Sequence, residues 1–444
     1  MTYADALAYL NTLPRWVAEG SAAYRPGLTT ISLLMDGLGR PHKAFPSVHI
    51  GGTNGKGSTA SLLAAIATAS GQRTGLHTSP HLVDLAERMR LDGQPTPHAW
   101  VADAVARYRP LLDDVRPSYF EATVALTLLF FAEMEVDLAV VEVGLGGRLD
   151  ATNVLTPEAA LVTYIGLDHT NLLGPTKAAI AYEKAGIAKP GVPFLTAELD
   201  PAVRAVLQTE AEAREATFEA VRDTVTVDAH RASDGTVCLD VTTPVRRYDT
   251  LTMGLSGAHQ AWNAALAIRA AEVVETKHGG SMLVGAAAHQ GISEVRKLAG
   301  IRGRCEVWSE SPLTVLDVSH NADGIAAALA FMQAQQRAGS AHAPASLFVV
   351  LGLMQDKDLD ALVPLFQRAE ATVVPVSLDS PRARSASDLR SALAAAGLAL
   401  SPDDAPTDPA AALAWLRQSG APHAAVLAAG SHLVVASILH AAGA

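Results

Sequence analysis

The run Gly51-Gly52-Thr53-Asn54-Gly55-Lys56-Gly57-Ser58-Thr59 carries the densest chemistry in the sequence. Closely spaced glycines let successive backbone N–H groups curl around a phosphate, and a helix starting here adds the positive end of its dipole. Lys56 has the reach for β- and γ-phosphates, and the Ser58 hydroxyl is a ligand type suited to Mg²⁺. The spacing departs from the strict G-x-x-x-x-G-K-[ST] pattern: Ile50 stands where its first glycine would be, and Gly57 separates Lys56 from Ser58. Glu142 lies in the apolar run 138–143, before Val143-Gly144-Leu145-Gly146-Gly147-Arg148. A carboxylate at such a strand end is where a P-loop enzyme holds its metal. The glycines that follow lack the dinucleotide spacing, with no direct helix signal after them. His169 comes after the next apolar run. With Ser58, Ser79 and Glu142 it belongs to a set at the carboxyl ends of strand-like runs, where open α/β sheets bind ligands. Lys184, beside Glu183 in the helical stretch 176–188, reads by itself as a solvated helix lysine.

The elements that must position these residues alternate. Strand-like runs 47–50, 75–78, 138–143 and 159–165 interleave with helical runs 59–70 and 122–132, which predicts a mostly parallel sheet covered on both faces. Residues 218–252 differ, with β-branched alternation and Asp234-Gly235 between runs 224–229 and 237–243, so a small antiparallel hairpin is expected. A helix follows over 259–276. From Arg304 a second α/β unit begins, with strands 305–308, 314–318, 347–352, 371–376 and 424–429 and helices 322–337, 359–368, 386–396 and 410–417. Loops 338–344 and 402–409 are polar. The boundary falls near 297–303, separating a unit over 1–298 that carries the glycine loop from a smaller α/β unit over 299–444.

Composition narrows the class. Of 444 residues 49 % are hydrophobic and 18 % charged, which excludes a disordered chain or a coiled coil. The net charge of −11 argues against nucleic-acid binding, and an anionic substrate then needs a local basic pocket. Cys238 and Cys305 are the two cysteines, too few for a disulfide framework and at no metal spacing, as expected of a reducing, cytoplasmic setting. Met1-Thr2-Tyr3-Ala4-Asp5 shows no secretory pattern. From Gln418 to Ala444 there is no Asp, Glu, Lys or Arg, yet Gly430-Ser431-His432 interrupts the stretch. It reads as a buried strand and a packed helix over 432–441 rather than a membrane span.

Taken together the motifs resemble the folylpolyglutamate synthase and dihydrofolate synthase family of the Mur ligase superfamily. The resemblance runs along nearly the whole chain: Pro26-Gly27-Leu28, the glycine loop, Thr78-Ser79-Pro80-His81, Phe120-Glu121, the run from Glu142 to Asn153, Asp168-His169, Glu183-Lys184-Ala185-Gly186-Ile187, Gly257-Ala258-His259-Gln260 with Asn263, Gly303-Arg304, Asp317 with His320-Asn321, and Asp356-Lys357-Asp358. It implies a Mur-type central P-loop ATPase domain over 1–298, a smaller C-terminal Rossmann-like ligase domain over 299–444, and ATP-dependent amide ligation. ATP phosphorylates a carboxylate, and the amine of L-glutamate attacks the acyl phosphate. It also implies roles. Gly52, Thr53, Asn54, Gly55, Lys56, Gly57, Ser58 and Thr59 would bind ATP with Asn263, Arg304, Asp317 and His320. Ser58, Ser79 and Glu142 would serve Mg²⁺, His169 a second Mg²⁺, and Lys184 would be carbamylated. Lys56, His169 and Lys184 would be catalytic. Phe120, Asp150 and Ala151 would line a pterin site, Phe120 by stacking.

Two departures stand out. The family's usual Asp-Gly-Ala-His-Asn is Asp317-Val318-Ser319-His320-Asn321 here, and Val318 takes backbone freedom from a loop near the phosphates. The ending Gly430-Ser431-His432 keeps only the family's small residues. The leading expectation is a bifunctional enzyme acting on dihydropteroate and on reduced folates. The alternatives are polyglutamylation alone, a Mur-type ligase for a peptidoglycan precursor, and a non-catalytic ATP switch. Partners are expected to be small molecules, with no nucleic acid or membrane, and the protein a monomer.

Overall fold

The computed structural model describes residues 1–15, 27–231, 237–277, 285–338, 346–418 and 424–443. Pro26, the Asp234-Gly235 turn and residues 339–344 of the expected loop lie outside them. The chain forms two units, Met1–Gly254 with Ala261–Ile301, and Leu255–Gln260 with Arg302–Ala444. The short segment Leu255–Gln260 thus packs with the second unit although it precedes the sequence boundary.

The first unit is built on an eight-stranded sheet. Its strands are β1 Ser47–Gly51, β2 Thr74–His77, β3 Met89–Leu91, β4 Gln94–Pro95, β5 Leu138–Glu142, β6 Ala159–Val162, β7 Pro193–Thr196 and β8 Thr217–Ala220. The order is β4-β3-β2-β5-β1-β6-β7-β8, and only β3 runs against the other strands, pairing antiparallel with both β2 and β4. From β1 the chain crosses to β2 on one side, whereas β6 leads on to β7 and β8 on the other. The carboxyl ends of β1 and β6 therefore flank a topological switch point.

Local chemistry explains the elements. β1, β5 and β6 are buried at every position, so β6 and β5 up to Glu142 read as unbroken apolar runs rather than alternating ones, whereas β1 also buries Ser47 and His49. Helix Lys56–Ala69 is made of small residues and is buried from Gly57 to Ala67. Helix Tyr119–Glu133 starts on a capping box in which Ser118 accepts from the Glu121 N–H and Glu121 returns a bond to the Ser118 N–H. Glu121 of the Phe120-Glu121 motif is thus a helix-capping residue.

The structure corrects several boundaries. The helix after β1 starts at Lys56, not 59, so the glycine loop runs straight into its first turn. Phe218 belongs to β8, the parallel edge of the large sheet. The antiparallel excursion has three strands, β9 Thr226–Arg231, β10 Val237–Thr242 and β11 Arg247–Thr252. Strands β3, β4 and β7 and helices His98–Val115 and Pro201–Glu212 had no sequence counterpart. The three strands span two to four residues, too few to show a period.

The second unit has a five-stranded sheet, β12 Glu306–Glu310, β13 Leu313–Leu316, β14 Ser346–Leu351, β15 Ala371–Pro375 and β16 Ala424–Ala429, in the order β12-β13-β16-β14-β15. Only the edge strand β12 is antiparallel to its neighbour. The uncharged C-terminal stretch supplies β16, buried throughout, and helix His432–Ala441. Among the described residues no helix is long and apolar enough to cross a membrane.

Candidate active site

The glycine loop sits at the switch point and is shaped by backbone geometry. Gly52 has φ +142° and Gly55 φ +87°, both in the region that favours glycine. A Cβ at Gly52 would stand 1.9 Å from Thr163 Oγ1, and one at Gly55 2.6 Å from Asn263 Oδ1. The loop is tied to the segment after β6: the Thr53 N–H donates to Tyr164 O at 2.6 Å, the Thr53 hydroxyl to Gly166 O at 3.1 Å, and the Thr163 hydroxyl to Asn54 O at 2.6 Å. Thr163 therefore leaves the expected strand 159–165 to brace the loop, a role no local signal announced. Lys56 Nζ donates to Thr53 O at 3.1 Å, folding back over the loop. Ser58 and Thr59 lie buried in the first helical turn. A helix start with close-packed glycines and inward N–H groups is a fit for a polyphosphate.

Parallel pairing brings the metal candidates alongside. Glu142 is the register partner of Ile50, two residues before Gly52. It is 4 % exposed, and its Oε2 accepts from the Ser79 N–H at 3.1 Å. Two strand ends, of β2 and β5, are joined by that bond. His169 adopts a left-handed φ of +50° ahead of the turn Thr170–Leu173, with Nε2 3.8 Å from Asp168 Oδ2. Among the described residues no three His, Cys, Asp or Glu side chains converge as a metal cage. The hydroxyl-plus-carboxylate donors Ser58, Ser79 and Glu142 are the hard, sparse set that suits Mg²⁺, which keeps water and substrate phosphates as its other ligands.

Lys184 overturns the reading of a solvated lysine. It is 4 % exposed, and Nζ donates to Gly52 O at 2.8 Å. Burial, reinforced by the neighbouring Lys56 charge, brings its amine down from 10.5 to about 7, against the opposing pull of Asp168 and Asp150. Its helix packs against the glycines after β5, since a Cβ at Gly147 would meet Glu183 O and Lys184 O at 2.9 Å.

Phe120 and Asp150 stand at the same glycines, the Asp150 N–H donating to Gly147 O at 3.1 Å, and Ala151 follows Asp150. A Cβ at Gly144 would lie 2.3 Å from Phe120 Cζ. Asp150 is buried and works as a cap: it accepts from the Leu145 N–H at 2.8 Å, the Thr152 N–H at 3.0 Å and the Thr152 hydroxyl. Burial pushes its carboxyl up against those bonds.

In the second unit Asp317 holds the chain together across β13. It accepts from the Cys305 N–H at 2.7 Å and the Ser319 N–H at 2.8 Å, while Arg304 Nη1 donates to Gly303 O at 3.3 Å. Val318 has no positive φ and donates to Gly303 O at 3.0 Å, so no glycine is required where the family's usual sequence has one. His320 Nδ1 lies 3.1 Å from Val318 O. His259, carried by the Leu255–Gln260 segment, feels both Asp317 and Arg304; burial holds its imidazole below the ordinary value.

The sequence matches the Mur ligase middle domain over residues 50–271 and the Mur ligase glutamate ligase domain over residues 303–432. It is 34 % identical over 373 residues to a dihydrofolate synthase/folylpolyglutamate synthase of Bacillus subtilis, covering 82 % of this chain and 84 % of that one. The fold superposes on the apo form of L. casei FPGS with a TM-score of 0.83 at 28 % identity, covering 100 % of both chains. It superposes on E. coli FolC in complex with DHPP and ADP with a TM-score of 0.84 at 28 % identity, covering 100 % of this chain and 98 % of that one.

Proposed function

The chain belongs to the folylpolyglutamate synthase/dihydrofolate synthase family of Mur ligases, and from that premise we propose how its site works and which acceptors it takes. It is an ATP-dependent ligase that joins L-glutamate to folate-type carboxylates. A carboxylate is a poor electrophile; transfer of the γ-phosphoryl group gives an acyl phosphate, and glutamate's amine then displaces phosphate.

The observation that carries the site assignment is the glycine loop with Lys56 in its first helical turn, next to buried Glu142 in register. Gly52 to Thr59 hold the phosphates through backbone N–H groups, and Lys56 offsets charge on the transferring phosphoryl group. Asn263 stands against Gly55 at the loop, and for Arg304, Asp317 and His320 a nucleotide-binding role is proposed on the family resemblance alone. Ser58, Ser79 and Glu142 would hold one Mg²⁺ and His169 a second, whose positive charge stabilises the phosphoryl oxygens. Lys184 is a fit for carbamylation: CO₂ reacts with a neutral amine, and an amine at about 7 is substantially neutral at physiological pH. The carbamate would turn a buried amine into a carboxylate-like group.

The acceptor range is proposed to be bifunctional, dihydropteroate and then reduced folates. Support comes from the bifunctional name of the Bacillus subtilis relative and from the E. coli neighbour solved with DHPP. Phe120, beside Gly144, is the proposed pterin-stacking face, with Ala151 next to it. Asp150 acts there by capping the loop that shapes the pocket, with its remaining lone pairs available to ring N–H groups. Incorporation of labelled glutamate into 7,8-dihydropteroate and into tetrahydrofolate, measured side by side, tests the range. Turnover with both is expected. Turnover with tetrahydrofolate alone would restrict the enzyme to polyglutamylation.

A further inference from the structure

At the far end of the loop that starts on Ser79, whose N–H is bonded to Glu142, lies a buried guanidinium with no ion pair among the described residues. Arg88 ends the short turn Leu85–Arg88 and is 7 % exposed. The loop that delivers it is fixed by Glu87, which accepts the N–H groups of Leu82, Val83 and Asp84 at 2.9, 3.0 and 2.9 Å. Arg88 Nε donates to His81 Nδ1 at 2.8 Å, which sets the plane of the guanidinium. Its Cζ is 5.6 Å from the Tyr119 ring centroid, and Arg15 Cζ is 4.2 Å from the same centroid. Two like charges therefore share one ring. Glu142 is the carboxylate whose charge acts on Arg88, and among the described residues Arg88 makes no ion pair. Its two Nη groups have no hydrogen-bond partner among those residues.

A buried cation without a partner is costly to keep, and a second cation beside it makes it costlier. Desolvated guanidinium forks are the group best matched to a planar carboxylate. The reaction needs an acceptor carboxylate at this end of the sheet, brought close to the negative phosphates of ATP. We propose that Arg88, braced by His81 and backed by Tyr119 and Arg15, binds the acceptor carboxylate that is to be phosphorylated. A bond from the fork to one carboxylate oxygen leaves the other oxygen free to attack. Nucleophile and metal ligands then meet because Ser79 and Arg88 bracket one loop, whose start is bonded to Glu142. This assignment rests on the ligase reading above.

The test is equilibrium binding of 7,8-dihydropteroate and of its carboxamide analogue to the wild-type protein and to Arg88→Gln. Loss of a charge-assisted fork is expected to weaken carboxylate binding about ten- to a hundredfold. The carboxamide should be affected little, ADP affinity should hold, and the thermal midpoint should not fall. The acceptor KM should rise while the KM for ATP stays. Should Arg88→Gln fold poorly, His81→Ala carries the test with a several-fold loss confined to the carboxylate ligand. Equal weakening of both ligands, or of neither, overturns the assignment. If the wild-type protein binds neither ligand, dihydropteroate is not its acceptor and the same comparison is made with tetrahydrofolate and its γ-carboxamide; binding of none of these overturns the ligase reading and the assignment with it.

Discussion

Replacing Lys184 by methionine should give a protein that cannot turn over and yet is more stable at neutral pH. The lysine is buried, and its amine lies at about 7 rather than 10.5. That difference means its charged form is disfavoured in the fold by about 5 kcal/mol relative to the unfolded chain. Methionine fills similar space without charge. It gives up the bond to Gly52 O at 2.8 Å, about 1–2 kcal/mol. The net gain for Lys184→Met is therefore about 3 kcal/mol below pH 7. The sign follows from proton counts. Below pH 7 the lysine is protonated folded and unfolded, and the full penalty applies. Between 7 and 10.5 only the unfolded chain keeps the proton, so wild-type stability rises with pH and the gap closes. Urea midpoints of both proteins, free of nucleotide, metal and CO₂, measure this on either side of pH 7. A variant less stable than wild type below pH 7, or a gap that does not narrow above it, would refute the burial argument. Full activity in the variant would remove Lys184 from the chemistry.

Other outcomes follow from the same geometry. Gly52→Ala puts a Cβ 1.9 Å from Thr163 Oγ1 at a φ of +142°. Strain of about 2–3 kcal/mol at the loop should weaken ATP binding by about a hundredfold, read by nucleotide titration. Glu142→Gln keeps an acceptor for the Ser79 N–H but loses the charge; the half-saturating Mg²⁺ concentration for ADP release should rise about tenfold or more. His49 is bonded to Thr152 at 2.7 Å, and burial, then the Lys189 charge, keeps its imidazole down to about 3. The stability it contributes is present above its ordinary 6.5 and is lost as pH falls toward 3, at about 1.4 kcal/mol per pH unit; His49→Gln should flatten that slope in urea titrations.

Much of the fold and part of the site can be read directly from the sequence. Buried parallel strands announce themselves as apolar runs, so β5, β6 and β16 were legible, and β1, despite Ser47 and His49, was legible as a short β-type run ahead of the glycines. So was the glycine loop, because positive φ and close approach demand glycine at Gly52 and Gly55. Lys184 was not legible from its neighbours. Its burial depends on Gly52, 132 residues away, and on the close approach of its helix to Gly147. Arg88 escaped for the same reason: its partners His81 and Tyr119 come from different elements, and a lone arginine before a short strand has no pattern. Thr163 looked like the end of a strand until its hydroxyl was seen to hold the loop. Val318 shows the reverse error, in which a missing glycine suggested a constraint that the backbone does not impose.

The central claim is that ATP activates the acceptor's own carboxylate. Acceptor labelled with ¹⁸O in that carboxylate, incubated with Mg-ATP and L-glutamate, tests it most directly. The account predicts ADP release that depends on acceptor and glutamate, with one ¹⁸O atom carried into the phosphate. Phosphate without the label, or ADP release indifferent to glutamate, would contradict it.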